Sequence, residues 1–214
     1  MSTFDFVEVR CAVCGATERF RVIRSTNAFG SADLDLRPPE MQRSTMPLWV
    51  QQCPACGYAA DAISDETSVT REWLQSEAYQ TCDGIAFSSD LAITFYRQHM
   101  ICLQENDERK AHYALLHAAW ACDDAFDAEN AAICRKRAIP PLEAMIRSAN
   151  DEEKDTMLMV KADLLRRSGQ FDRLIDEYAD VKMKDKLLSM LLAFQLQKAR
   201  EKDAACYRVS EAVA

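Results

Sequence analysis

Four of the nine cysteines repeat one pattern, Cys11-Ala12-Val13-Cys14-Gly15 and Cys53-Pro54-Ala55-Cys56-Gly57. In each copy a two-residue spacer lets both sulfurs turn toward one centre, and the glycine takes the positive φ of a tight turn. Two such knuckles make a tetrahedral thiolate cage, and the expectation is one structural Zn²⁺ held by Cys11, Cys14, Cys53 and Cys56. The 38 residues between the pairs exceed the familiar finger spacing, yet a closed four-ligand site tolerates a long loop between its halves. A redox dithiol is the competing reading. That motif sits at a strand-to-helix junction inside a βαβ pattern, and neither pair is followed by a convincing helix. A Cys₄ cage has no open coordination position, so its role is to hold a fold together, and no catalytic residue follows from it.

The loop between the pairs holds a second group of chemically capable residues, Asp33, Asp35 and Arg37, just ahead of Pro38 and Pro39. Alternate residues of an extended segment face one side, so two carboxylates and a guanidinium converge. With no histidine in this part of the chain to serve as a general base, the group reads as an interaction loop rather than a catalytic one. It docks either against the chain's own helices or against a partner. His99 with Cys102, and His117 with Cys122, invite a thiol–imidazole reading, but single histidines and cysteines among Leu, Ala, Met and Trp are core residues by default.

The elements that must position these residues fall into two parts. Phe4 to Val9, Phe20 to Ile23 and Leu48 to Val50 suggest short strands around the knuckles, a zinc ribbon over residues 1–62. From about Val69 the texture turns to alanine, leucine, glutamine and charge. Helices are predicted near 69–80, 89–104, 108–123, 127–148, 152–168, 171–181, 185–199 and 202–212, making residues 63–214 an α-helical domain. Ser88 or Ser89 and Asn150 are N-cap candidates, the latter with an acidic first turn Asp151-Glu152-Glu153. Pro140 and Pro141 should kink or split the 127–148 helix. Around Gly169, Leu158, Ala162 and Leu165 answer Phe171, Leu174 and Tyr178, an arrangement that resembles a tetratricopeptide hairpin, with a second one expected over 185–212. The fold class is therefore mainly α, a small N-terminal β zinc ribbon followed by a tetratricopeptide-like array.

The knuckles, the stretch Asp33-Leu34-Asp35-Leu36-Arg37-Pro38-Pro39-Glu40, Trp49-Val50, Cys53-Pro54-x-Cys56-Gly57-Tyr58-Ala59 and Ala118-Ala119-Trp120 together resemble a bacterial family classed as a domain of unknown function, family 2225. The acidic-Arg-Pro-Pro stretch placed between the cysteine pairs carries most of the specificity. The resemblance implies an N-terminal metal-binding segment and a helical remainder over nearly the whole chain. It transfers no catalytic residue.

Composition narrows the function. The chain has 214 residues, 49% hydrophobic, with 26 basic and 34 acidic side chains and a net charge of −8, which disfavours a broad attraction to nucleic acid or anionic membrane. Within the first 60 residues six arginines and no lysine are balanced by six acidic residues. No apolar leader precedes Arg10 and no run reaches the ~20 residues of a membrane span, so a cytoplasmic protein is expected, in keeping with cysteines that need no disulfides. The first functional expectation is a zinc-binding adaptor that contacts another protein through the array or the loop. A nucleic-acid-associated ribbon ranks second, and an enzyme using Asp33, Asp35 and Arg37 third.

Overall fold

The computed structural model describes residues 2–214, with all their side chains except those of Asp151 and Glu152. Strand β1 (Thr3–Arg10) pairs antiparallel with β2 (Thr17–Ser25), the first cysteine knuckle forming their turn. A 3₁₀ helix over Arg43–Leu48 leads to β3 (Gln51–Gln52), which pairs with β4 (Ala59–Ala60) around the second knuckle. Two single-turn helices follow, α1 (Arg71–Leu74) and α2 (Glu77–Gln80), where one helix over 69–80 was predicted. Thr70 and Ser76 each cap a new helix start through their side-chain oxygens, which divides the segment.

The long helices α3 (Asp90–Gln104), α4 (Glu108–Asp124), α5 (Ala128–Ser148) and α6 (Asp151–Arg167) stack in order, each on the next. Ser89, Asp107 and Asp127 cap α3, α4 and α5, and the Asn150 Oδ1 accepts the Glu153 N–H at 3.0 Å. The rest of the expected acidic turn, Asp151 and Glu152, lies outside the described side chains. Helix α5 runs unbroken through Pro140 and Pro141. Burial of Ile139, Pro141 and Leu142 offsets the two missing N–H donors, so packing overrides the local penalty.

Gly169, at φ +75°, turns the chain from α6 into α7 (Phe171–Tyr178), and α8 (Lys186–Arg200) packs on both. The helix predicted over 202–212 is reduced to α9 (Val209–Ala212). The preceding segment is extended because its backbone pairs with the loop between the knuckles: the Leu34 N–H donates to Tyr207 O and the Val209 N–H to Ala32 O, both at 2.9 Å. The buried apolar side chains form one cluster from Val9 in β1 to Ala199 in α8. Among the described residues no helix is long and apolar enough to cross a membrane.

Candidate metal centre and the loop it anchors

The two knuckles have the same backbone. In the first, the Gly15 N–H donates to Cys11 O at 2.9 Å and the Cys11 N–H to Ala16 O at 2.8 Å; in the second, Gly57 donates to Cys53 O and Cys53 to Tyr58 O, both at 2.8 Å. Gly15 and Gly57 sit at φ +74° and +81°, the conformation for which the sequence places glycine there. The four cysteines offer their sulfurs within 4.8 Å of one another, Cys11 to Cys56 at 3.7 Å and Cys14 to Cys53 at 3.6 Å. These separations are far beyond a disulfide bond, and all four are free thiols.

The surroundings pull Cys14 away from Cys53 and Cys56. A backbone N–H at Ala16 lowers Cys14 to about 7, whereas burial raises Cys53 and raises Cys56 further. Four thiolates this close repel one another, and a bound cation is what reconciles them. The donor set therefore suits a metal ion. Tyr79 of α2, fully buried, donates its hydroxyl to Gly57 O at 2.7 Å, and the Ala12 N–H donates to Ile63 O at 2.8 Å, so both knuckles are tied to the chain beyond them.

Asp33, Asp35 and Arg37 face inward, each toward its own counter-charge and from a turn rather than the extended segment expected. All three are buried, Asp35 at 1% exposure, while Leu36 between them is about half exposed. A tight turn brings this about: the Asp33 N–H donates to Arg37 O, the Leu36 N–H donates to Asp33 O, and Leu36 adopts φ +67°. Arg37 reaches Asp124 of α4 at 2.5 Å. Asp33 lies 2.7 Å from Arg43, close enough for an ion pair although poorly aligned for a hydrogen bond.

Asp35 completes a ring of alternating charge. Arg135 of α5 and Arg167 of α6 each contact both Asp35 and Asp123 of α4: Arg135 at 3.6 and 2.5 Å, Arg167 at 3.2 and 2.9 Å. The Trp120 indole N–H donates to the same Asp35 oxygen at 2.8 Å. Burial would raise the Asp123 carboxyl, but Arg135 and Arg167 outweigh it and hold the group below the usual carboxylate range. Asp123, Asp124, Arg135 and Arg167 were not singled out in the sequence. Arg135 and Arg167 carry the only available signal, a guanidinium lying directly beside buried apolar positions of an amphipathic helix.

The loop and the helices enclose a groove of about 710 Å³, walled by Leu36 and Pro38 from the loop and by Trp49, Tyr113, Leu116 and Met157. His117 lines it, its ring 5.1 Å from Trp49 and 5.0 Å from Trp120. His112 also borders it; His99 and His112 use Nδ1 at Ala111 O and Ala138 O, which makes them fastenings between helices. Burial lowers all three histidines to about 4.

A mainly α-helical chain with a four-cysteine ribbon at its N-terminus is the class that this fold and this site define. The chain belongs to the family described as "Uncharacterized protein conserved in bacteria (DUF2225)", which it matches over residues 7–206. No curated protein and no solved structure matches it significantly.

Proposed function

We propose that this protein is a zinc-binding adaptor whose helical, tetratricopeptide-like array receives an apolar segment of another protein in the groove between α4, α6 and the loop. The observation that carries the reading is the groove itself. It is open, mostly apolar and walled on one side by a loop that the buried charge ring fixes in place, a preformed site of the size that holds a short peptide or similar ligand. Asp33, Asp35 and Arg37 serve it indirectly, as an internal dock that sets the loop wall, while Leu36, Pro38 and Pro39 face the occupant. Zinc is the metal because four thiolates in a closed set are its preferred structural site. A tetrahedron with zinc–sulfur bonds of about 2.3 Å has edges of about 3.8 Å, close to the 3.6 and 3.7 Å sulfur separations. Nine free cysteines suit a reducing cytoplasm.

Elemental analysis of the purified chain should find one zinc, lost on Cys11→Ser with Cys53→Ser and retained on Cys82→Ser. For the groove, a photo-crosslinking residue at position 113 should trap a cellular protein, and Met157→Glu should abolish the trapping with the helical circular dichroism intact. Trapping unchanged by Met157→Glu would remove the groove from the account.

A further inference from the structure

The β1–β2 ribbon has two unlike faces. Residues alternate along each strand, so Val9 and Phe20 turn to the core while Phe4, Phe6, Glu8 and Arg10 share the other side with Arg19 and Arg21. Phe6 stands opposite Arg21 and Glu8 opposite Arg19. The two phenylalanines remain 37% and 53% exposed, large for apolar rings on a chain with an ample core. Each has a guanidinium over it: Arg21 lies 3.8 Å from the Phe4 ring centre and Arg19 lies 4.6 Å from that of Phe6. Among the described residues Arg10, Arg19 and Arg21 form no ion pair.

The acidic residues that balance the arginines in the sequence are sorted elsewhere by the fold. Asp33 and Asp35 are buried, the first against Arg43 and the second in the charge ring. Asp5 pairs with Arg24 on the opposite face, Glu18 stands across from Val9 on that face too, and Glu40 accepts the Ser44 hydroxyl. Three exposed arginines against Glu8 alone are left on the aromatic face of a chain whose net charge is −8. Unpaired guanidinium groups interleaved with exposed flat rings suit a ligand that is both polyanionic and π-faced.

We propose that this face binds single-stranded nucleic acid, bases stacking on the Phe4–Arg21 and Phe6–Arg19 layers and phosphates engaging the guanidinium N–H edges of Arg10, Arg19 and Arg21. The rings demand unstacked bases, which a duplex does not offer. The face is separate from the groove, so the two proposals stand or fall independently.

The test is fluorescence anisotropy with the full-length protein and labelled oligothymidylate and oligouridylate of roughly 20 nucleotides, starting at about 50 mM salt. Saturable binding is expected, with log K falling against log salt at a slope of about −2, as three phosphate contacts on a single strand give. Phe6→Ala should weaken binding roughly tenfold. Arg19→Ala or Arg21→Ala should each flatten the slope by about 0.7. These side chains are exposed, so the melting temperature should stay unchanged and report an intact fold. Absence of saturable binding, binding undiminished in the Phe4→Ala, Phe6→Ala double variant, or tighter binding to duplex of equal length would each overturn the proposal.

Discussion

Asp35→Asn isolates what the charge ring contributes, because it keeps the shape of the side chain and its capacity to accept from Trp120 while deleting one charge. In the intact ring two carboxylates face two guanidiniums, and the side chains of Asp35, Arg135 and Arg167 are each under a tenth exposed. Each contact of Asp35, at 3.2 and 3.6 Å, is worth about 5 kcal/mol of gross attraction at an effective dielectric of 20, largely offset by the several kcal/mol that burying each ion costs. The substitution removes the attraction and leaves two desolvated arginines with Asp123 in contact and only the buried Asp163 as further counter-charge. Removing one partner of a buried pair typically costs about 3–5 kcal/mol, which for a chain of this length lowers the melting temperature by roughly 6–20 °C. Thermal unfolding followed by circular dichroism measures this. Adding Arg135→Met should restore part of the loss, since the orphaned cation is then gone, whereas Arg24→Ala on the exposed Asp5 pair should change little. A melting temperature for Asp35→Asn within about 2 °C of the parent would refute the ring as a stabilising unit.

Three further outcomes are expected. Stability should fall as the pH drops from 6.5 toward 4: the histidines are neutral in the fold with values near 4 but bind protons at 6.5 when unfolded, each unit of difference being worth about 1.4 kcal/mol, and urea titrations across that range check it. Below that range Asp123 adds to the loss as protonation overcomes its depressed value, while Asp163, raised by burial, works in the opposite sense above its ordinary value, within the range where the histidines act. Leu36→Gly should leave stability nearly unchanged, relief of the left-handed backbone offsetting glycine's extra freedom, whereas Leu36→Val should cost about 1–2 kcal/mol in the same assay. Strong chelation should lower helical signal and ribbon signal together, because Val9, Tyr79 and the helices share one buried cluster; helical circular dichroism untouched by chelation would show two separately stabilised parts.

The knuckles were legible in the sequence because their chemistry is local: two cysteines and a glycine fix both the turn and the ligand direction. Helices α3, α4, α6 and α8 were legible for a similar reason, since capping residues and a 3.6-residue stripe lie within the segment itself. The inward turn of Asp33, Asp35 and Arg37 was not. The counter-charges of Asp35 and Arg37 sit 87 to 132 residues further on, and charged residues ahead of two prolines look the same whether they face water or a guanidinium. The extended run before α9 was misread because Tyr207 O and the Val209 N–H pair with the backbone of Leu34 and Ala32, partners that no local pattern announces. At Pro140 and Pro141 the local rule was outweighed by tertiary burial.

The placement of the four cysteines relative to the loop would give a bound ion a reach beyond its own four sulfurs. Cys14 and Cys53 are the two ends of the segment that carries Asp33, Asp35 and Arg37, so a shared ion closes a loop of about forty residues and removes roughly 4 kcal/mol of chain entropy from the ensemble in which that segment searches for the helices. Asp35 would then meet Arg135 and Arg167 from a tethered position, and the tail would meet Ala32 and Leu34 on a loop already in place. With an ion bound, the groove wall formed by Leu36 and Pro38 would rest on two constraints in series, metal at the ends and charge in the middle. They are separable: loss of the metal should weaken ribbon and helices together through the cluster they share, whereas loss of Asp35 should free the middle with the ends still held, moving the first proteolytic cut to the Leu36–Pro39 stretch.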